Sequence, residues 1–300
     1  MKVEDIIKAT NGRLLVGDPQ EDCENFCTDT RKIQKGDIYV GLKGEKFNGN
    51  EYYKEALEKG AKVAVISGIE VTKEDLDQYK DKTIIEVKDS LEAFGDIAAY
   101  KRDLYDIPVV QITGSVGKTS TRDIIANVVR TQYKTLQTEG NQNNAIGLPT
   151  TLLKLKDHEA VVVESGMNHL GEIRYLGKIA KPTVAVITNI GTSHIGNLGS
   201  RENILKAKLE ILEGMDKKKI VINNDNDLLH KWYLENKQYQ IVTYGINNDS
   251  SNMAENIEYN ETGSKFVLKP DDEQIDVPVG GEAFVYNSLA AIWWGKFLNI

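Results

Sequence analysis

One short run constrains this chain more than any other: Thr113-Gly114-Ser115-Val116-Gly117-Lys118-Thr119-Ser120. It follows the apolar segment Val109-Val110-Gln111-Ile112 and opens a stretch of helical composition from about Lys118 to Thr131. A glycine turn between a strand and a helix lets backbone N–H groups approach phosphate oxygens, and the helix N-terminus adds the positive end of its dipole. The spacing is G-x-x-G-K-T, shorter than the G-x-x-x-x-G-K-[ST] of ordinary phosphate loops. On this reading Gly114, Ser115, Val116, Gly117, Lys118, Thr119 and Ser120 cradle a nucleotide, with Lys118 on the outer phosphates and the Thr119 hydroxyl on Mg²⁺. The bland alternative is a tight strand–helix turn with an exposed lysine.

The remaining pattern agrees with such a loop. Ala160–Val163, Val184–Ile187 and Ile220–Ile222 are near-continuous apolar runs separated by helical stretches, 170–179 and 202–212. That is the signature of parallel strands buried on both faces. Residues 257–279 alternate and predict antiparallel strands, and 282–298 reads as a helix. Upstream, the strand Ile38–Leu42, a helical stretch 51–59 stopped at Gly60 and the strand Ala61–Ile66 form a smaller α/β unit. Residues 90–105 read as a helix with Ser90 as its N-cap and Leu91, Phe94 and Ile97 at core spacing. The expected fold class is α/β: an N-terminal domain, 1–85, and a central domain, 86–300, with a mostly parallel sheet flanked by helices.

Composition excludes several classes. With 40% hydrophobic and 27% charged residues the chain is neither disordered nor fibrous. A net charge of −8 argues against a general nucleic-acid binder. Cys23 and Cys27 are too few for a disulfide framework and read as free thiols. Acidic residues stand where a signal peptide needs an apolar run, and no stretch is long and apolar enough for a membrane span, so a cytoplasmic protein is expected.

Candidate chemistry gathers downstream of the strands. Glu164 ends an apolar strand, where an acid in a phosphate-loop protein commonly serves Mg²⁺. His194 follows the strand 184–187 through a short loop, and a neutral imidazole can bind a divalent metal. Lys206 and Lys208, taken alone, read as solvated helix lysines. The amide-rich run from Asn141 to Pro149 includes Asn144 and is either a ligand-facing cluster or a turn. Asn168 and His169 lead into a helix, with Asn168 a possible N-cap.

These residues resemble the Mur ligases, the ATP-dependent amide-forming enzymes of peptidoglycan synthesis. The loop Thr113–Ser120 is similar to the family's T-G-x-x-G-K-T-[ST], and Asn141–Pro149, Glu164–Ile173 and His194–Ile211 resemble the branch that joins D-alanyl-D-alanine to UDP-N-acetylmuramoyl-tripeptide. Thr28–Lys32, Lys35–Asp37 and Gly44–Gly49 resemble its uridine-nucleotide domain, so residues 1–85 are expected to hold the UDP-linked substrate, through Thr30, Arg31, Lys43, Asn48 and Gly49. The resemblance implies that Asn141, Asn144, Asn168 and His169 also contact substrate and that Asn287 contacts adenine. It implies two Mg²⁺ sites, one served by Thr119 and Glu164 and the other by His194 and a carbamylated Lys208. Lys118, Glu164, His194 and Lys208 are thus the expected catalytic set. Two departures accompany it: the family usually has histidine near Ala283, and it carries a further C-terminal ligase domain, so a truncated and poorly active form is expected. The rivals are the Mur ligase that adds the third stem-peptide residue, which Met167–Glu172 fits poorly, and a nucleotide-binding module without ligation.

Overall fold

The computed structural model describes residues 1–298 apart from Glu45, so that member of the predicted Gly44–Gly49 stretch lies outside the described residues. The chain divides into two compact units, Met1–Tyr105 with Leu152–Leu155, and Asp106–Thr151 with Lys156 onward.

The first unit runs α1 (Val3–Thr10), β1 (Arg13–Val16), β2 (Phe26–Cys27), β3 (Ile38–Val40), α2 (Tyr53–Glu58), β4 (Val63–Ile66), α3 (Lys73–Gln78), β5 (Thr83–Glu86) and α4 (Ser90–Asp103). Its five strands lie in the order β1-β5-β4-β3-β2, with β1 antiparallel to β5 and the rest parallel. Tyr39, Tyr53, Leu57, Ile66 and Ile84 pack into one core against α2 and α3. The N-cap of α4 is Asp89, whose carboxylate accepts from the N–H groups of Leu91 and Glu92, and not the predicted Ser90. Helix α4 packs on α1, and the Tyr100 hydroxyl donates to Asp5 at 2.6 Å. Those contacts keep α4 with the first unit, whereas the expected boundary near residue 85 falls before it.

The second unit runs β6 (Val109–Thr113), α5 (Lys118–Arg130), β7 (Thr135–Gln137), α6 (Gly147–Leu152), β8 (Ala160–Glu164), α7 (Glu172–Ala180), β9 (Val184–Ile187), α8 (Ile195–Leu198), α9 (Arg201–Leu209), β10 (Lys219–Asn223), α10 (Asp227–Glu235), β11 (Gln240–Gly245), β12 (Asn252–Tyr259), β13 (Ser264–Lys269), β14 (Glu273–Val277) and α11 (Glu282–Leu298). The nine strands are ordered β14-β13-β12-β11-β10-β9-β6-β8-β7. Strands β6 to β12 pair in parallel, and β12, β13 and β14 are antiparallel, as the alternating pattern predicts. Two cores cover the faces of this sheet. One joins Val110, Ile112, Val162 and Val186 to Ile125 and Val129 of α5 and Leu289 and Trp294 of α11. The other joins Ala185, Ile187, Ile220 and Ile222 to Ile173 of α7 and Ile204 and Ala207 of α9. Both faces being buried explains why these strands lack a period-two pattern.

The order β9-β6-β8 places the phosphate loop at a topological switch point, because β6 leads to one side through α5 and β9 lies on the other. Ligands of open α/β sheets bind in the crevice beyond the carboxyl ends of such strands.

Candidate active site

Three loops meet at that crevice in the second unit. Registers align Ile112 with Glu164 and Thr113 with Ile187, so Gly114, Glu164–Ser165 and Thr188 leave the sheet at one level. Gly114 is required by crowding, since a Cβ there would lie 1.9 Å from Thr188 Oγ1. Gly117 is the N-cap of α5 with φ 80°, a left-handed conformation that costs other residues about 1–2 kcal/mol. The next N–H groups, those of Lys118, Thr119 and Ser120, occupy the first helical turn, where no intrahelical acceptor exists. They are the donors open to an anion. By contrast the Ser115 and Val116 N–H groups donate to Asn189 Oδ1 at 3.1 and 3.0 Å. The Lys118 ammonium lies over the loop, donating to the Gly114 carbonyl at 3.0 Å.

Glu164 is the buried anchor of the crevice, 1% exposed. Its Oε2 accepts from the Thr119 hydroxyl at 2.8 Å, its Oε1 from Asn143 Nδ2 at 2.8 Å, and its backbone N–H donates to Thr138 Oγ1 at 3.1 Å. The Arg122 guanidinium lies 3.5 Å from Oε2 and is itself fixed by the Gly140 carbonyl and Asp123. A paired carboxylate and hydroxyl are hard oxygen donors suited to Mg²⁺, which keeps water and phosphate as its other ligands. Thr119 and Glu164 therefore fit such an ion. Among the described residues no three His, Cys, Asp or Glu side chains gather into an all-protein metal cage.

The two helix lysines separate completely. Lys206 is exposed, whereas Lys208 is 1% exposed, so reading Lys208 as a solvated lysine is wrong. It lies on the inward face of α9 beside Ala207 and Ile204, and burial has to remove the ammonium from water. Burial first, and the positive charge of Lys118 second, pull its pKa down to about 7. No carboxylate pairs with it among the described residues. As a free amine it does not suit Mg²⁺; as a carbamate it would present two oxygens. His194 is exposed, holds φ 65° and precedes α8, its carbonyl accepting from Asn197 and Leu198. Strain of this kind persists only where surroundings impose it.

At the start of α11, the Thr121 hydroxyl donates to Asn287 Oδ1 at 2.9 Å. That leaves the Asn287 amide nitrogen as a donor beside Gly117, where an added Cβ would meet Asn287 Oδ1 at 3.4 Å. Neighbouring Tyr286 donates to Asp225 at 2.8 Å, and Asp225 also accepts from the N–H groups of Ile246, Asn247 and Asn248. Asn144 Oδ1 accepts from Ile146 and Gly147 N–H, so its oxygen is committed to a turn, while Asn141 is exposed. Asn168 and His169 are exposed before α7, but the N-cap is Gly171, so the capping role suggested for Asn168 is not observed. Glu172 instead accepts from the Asn168 N–H at 2.7 Å.

In the first unit, Lys43 bridges Asn48, whose Oδ1 accepts from the backbone and side chain of Asn50. The Gly49 N–H donates to the Leu42 carbonyl at 2.8 Å, and a Cβ at Gly49 would come within 2.4 Å of that oxygen. Thr30 donates to Glu55, and exposed Arg31 forms a fork with Asp29. Sequence reasoning missed Arg122, Asn143 as the partner of Glu164, Asn189 and Asp225. Asn143 stands inside the amide-rich run, so that run was its available signal.

Comparison with known proteins identifies the family and the fold. A model of the Mur ligase middle domain matches residues 112–295, and one of the Mur ligase family catalytic domain matches residues 24–102. The chain is 38% identical over 276 residues to the UDP-N-acetylmuramoyl-tripeptide–D-alanyl-D-alanine ligase of Bacillus subtilis (strain 168), covering 91% of this chain and 58% of the relative. Among solved structures it matches MurF from Acinetobacter baumannii with a TM-score of 0.90 and 30% identity, over 100% of this chain and 65% of that one. It matches the MurF ligase of Thermotoga maritima in complex with ADP with a TM-score of 0.81 and 27% identity, over 92% and 63%. The 300 residues thus span less than two thirds of each relative.

Proposed function

The chain belongs to the Mur ligase family, and on that premise we propose that it carries the substrate and nucleotide sites of an ATP-dependent ligase that joins D-alanyl-D-alanine to UDP-N-acetylmuramoyl-tripeptide. The observation that carries the reading is the hydrogen bond from the exposed Thr119 hydroxyl to the buried Glu164 carboxylate, 2.8 Å long, at the mouth of the Lys118 loop in a switch-point crevice. A carboxylate is a poor electrophile: a carboxylate oxygen of the tripeptide takes the γ-phosphoryl group of ATP, the bond from that phosphorus to the bridging oxygen breaks and ADP leaves, and the acyl phosphate so formed carries phosphate as a leaving group. The amine of D-alanyl-D-alanine then attacks the acyl carbon, the C–O bond to phosphate breaks, and the amine loses a proton.

The protein's part is positioning and charge compensation. Lys118 and the open N–H groups of Lys118, Thr119 and Ser120 bind phosphate oxygens. Asn287 offers its amide nitrogen to the base. Thr119 and Glu164 would hold one Mg²⁺, which supplies charge neutralisation on the phosphates. Arg122 and Asn143 keep Glu164 oriented for that task. Lys208 and His194 would serve a second ion after Lys208 is carbamylated. Carbamylation needs a neutral amine to attack CO₂, with loss of one proton, and a lysine titrating near 7 offers that amine at neutral pH. Thr30, Arg31, Lys43, Asn48 and Gly49 bind the UDP moiety, with Asn141, Asn144, Asn168 and His169 toward the peptide. We place the protein in the cytoplasm with these substrates; no helix among the described residues is long and apolar enough to cross a membrane.

The test follows phosphate release and product mass with Mg-ATP and alternative substrate pairs. Release stimulated by D-alanyl-D-alanine with the UDP-linked tripeptide is expected. Stimulation only by a single amino acid with the UDP-linked dipeptide would assign the third-residue ligase instead. Binding of both nucleotides with no ligated product under any pairing would leave a binding module.

A further inference from the structure

Hydrogen bonds other than strand pairing join the phosphate loop to the loop that carries His194. Asn189 Oδ1 accepts from Ser115 N–H at 3.1 Å and from Val116 N–H at 3.0 Å. Thr188 Oγ1 donates to the Val116 carbonyl at 2.6 Å. The Gly191 N–H donates to Ser115 Oγ at 2.9 Å, and Ser193 Oγ donates to the Ser115 carbonyl at 3.2 Å. The Asn189 amide nitrogen adds a longer contact to the Val116 carbonyl at 3.3 Å, and its backbone carbonyl accepts from Ser115 N–H at 3.1 Å. Ser115 is buried and Gly191 packs so that a Cβ there would lie 3.3 Å from Ser115 Cβ. The middle of one loop is thus the hydrogen-bond partner of the other, and the N–H and carbonyl groups of both Ser115 and Val116 are engaged in it.

We propose that Asn189 is a positioning residue that makes the phosphate loop and the His194 loop one mechanical unit, so that the seat of the nucleotide phosphates and the position of His194 are set together. Its side-chain oxygen engages two consecutive N–H groups of the phosphate loop, which are then not free for an anion. That fixes the turn from which Gly117 enters the left-handed conformation and aims the next three N–H groups at the ligand. Its amide nitrogen closes the same ring, and the chain then continues through Gly191 and Ser193 directly to His194. A residue that only filled space would not need both a donor and an acceptor there. The role deepens the proposed ligase reading: Asn189 touches no reacting atom and acts through the two loops that do.

The experiment separates the two ideas by using readouts with and without nucleotide. In the 300-residue chain, amide hydrogen exchange is followed in peptides covering residues 113–117 and 190–195, for wild type, Asn189→Ala and Asn189→Asp. Losing a net hydrogen bond of ordinary strength raises local opening by roughly five- to tenfold. Asn189→Ala is expected to speed exchange in both peptides by that factor while strands β6 and β9 stay protected. Asn189→Asp keeps the accepting oxygen and is expected to restore protection of residues 113–117. It cannot donate to Val116 and sets a negative charge beside the phosphates, so its Mg-ATP affinity is expected to fall at least tenfold below wild type. A purely structural role would move protection and affinity together. Faster exchange confined to residues 113–117, or an Asn189→Ala variant that binds Mg-ATP like wild type, overturns the proposal. If wild type itself binds no Mg-ATP, the ligase reading fails, and the exchange data alone still decide whether the loops are coupled.

Discussion

Replacing Lys208 by methionine should stabilise the second unit at low pH while destroying its proposed chemistry. The side chain is 1% exposed, and its pKa stands at about 7 against 10.5 for an ordinary lysine. At about 1.36 kcal/mol per pKa unit, the buried ammonium costs at most about 5 kcal/mol below pH 7. The sign follows from proton counting. Between about pH 7 and 10.5 the unfolded chain holds more protons on Lys208 than the folded chain, so wild-type stability rises with pH across that window. The penalty is complete below about pH 7 and is reduced to about 2 kcal/mol by pH 9. Methionine keeps most of the buried aliphatic contact and has no proton to lose. Relaxation around a real ammonium lowers the gain, so an advantage of about 1–4 kcal/mol is expected at pH 6, shrinking by roughly half at pH 9. Trp232, Trp293 and Trp294 are the three tryptophans of the chain and all lie in the second unit, so denaturant unfolding read by tryptophan fluorescence reports on it alone. CO₂-depleted buffer keeps the wild-type amine unmodified. A variant less stable than wild type at pH 6, or a difference that does not change with pH, would refute the argument.

Four further outcomes are expected. Gly114→Ala should lower Mg-ATP affinity more than tenfold by calorimetry, because its Cβ would lie 1.9 Å from Thr188 Oγ1, and Gly117→Ala should cost about 1–2 kcal/mol of stability through its left-handed backbone with little clash. Glu164→Gln should raise the Mg²⁺ concentration needed for ATP binding severalfold while the nucleotide site stays folded, since the amide loses charge but can still meet Thr119; an unchanged Mg²⁺ titration would remove Glu164 from the metal site. Asp225→Ala should destabilise the second unit by about 1–3 kcal/mol, measured by thermal unfolding, because it frees the N–H groups of Ile246, Asn247 and Asn248 together with the Tyr286 hydroxyl.

What could be read from the sequence was local in the chain. The phosphate loop is eight consecutive residues whose flanking strand and helix announce themselves, and Glu164 stands at the end of an unbroken apolar strand. Helix α11 was visible over its whole length, Glu282–Leu298. Burial of Lys208 was not visible, because α9 has no clean polar and apolar faces and Lys206 and Lys208 look alike until the helix is docked. Only resemblance distinguished them. Asn189 acts on residues 74 and 73 positions away, a distance at which no spacing rule operates. Strand β7 has three residues, Thr135–Gln137, too few to show a period, and lies at the sheet edge. The division between the units is hard to read for a related reason: α4 joins α1 through tertiary contacts that composition does not mark.

On the proposed reading, the Lys118 loop and the Glu164–Thr119 pair together seat Mg-ATP in the second unit. Calorimetric titration of the 300-residue chain with Mg-ATP, run in parallel on Lys118→Ala, tests it most directly. One saturable site is expected in wild type and a loss of at least tenfold in affinity in the variant, with the tryptophan unfolding curve retained. Equal affinity in the two proteins, or no binding by wild type, would contradict it.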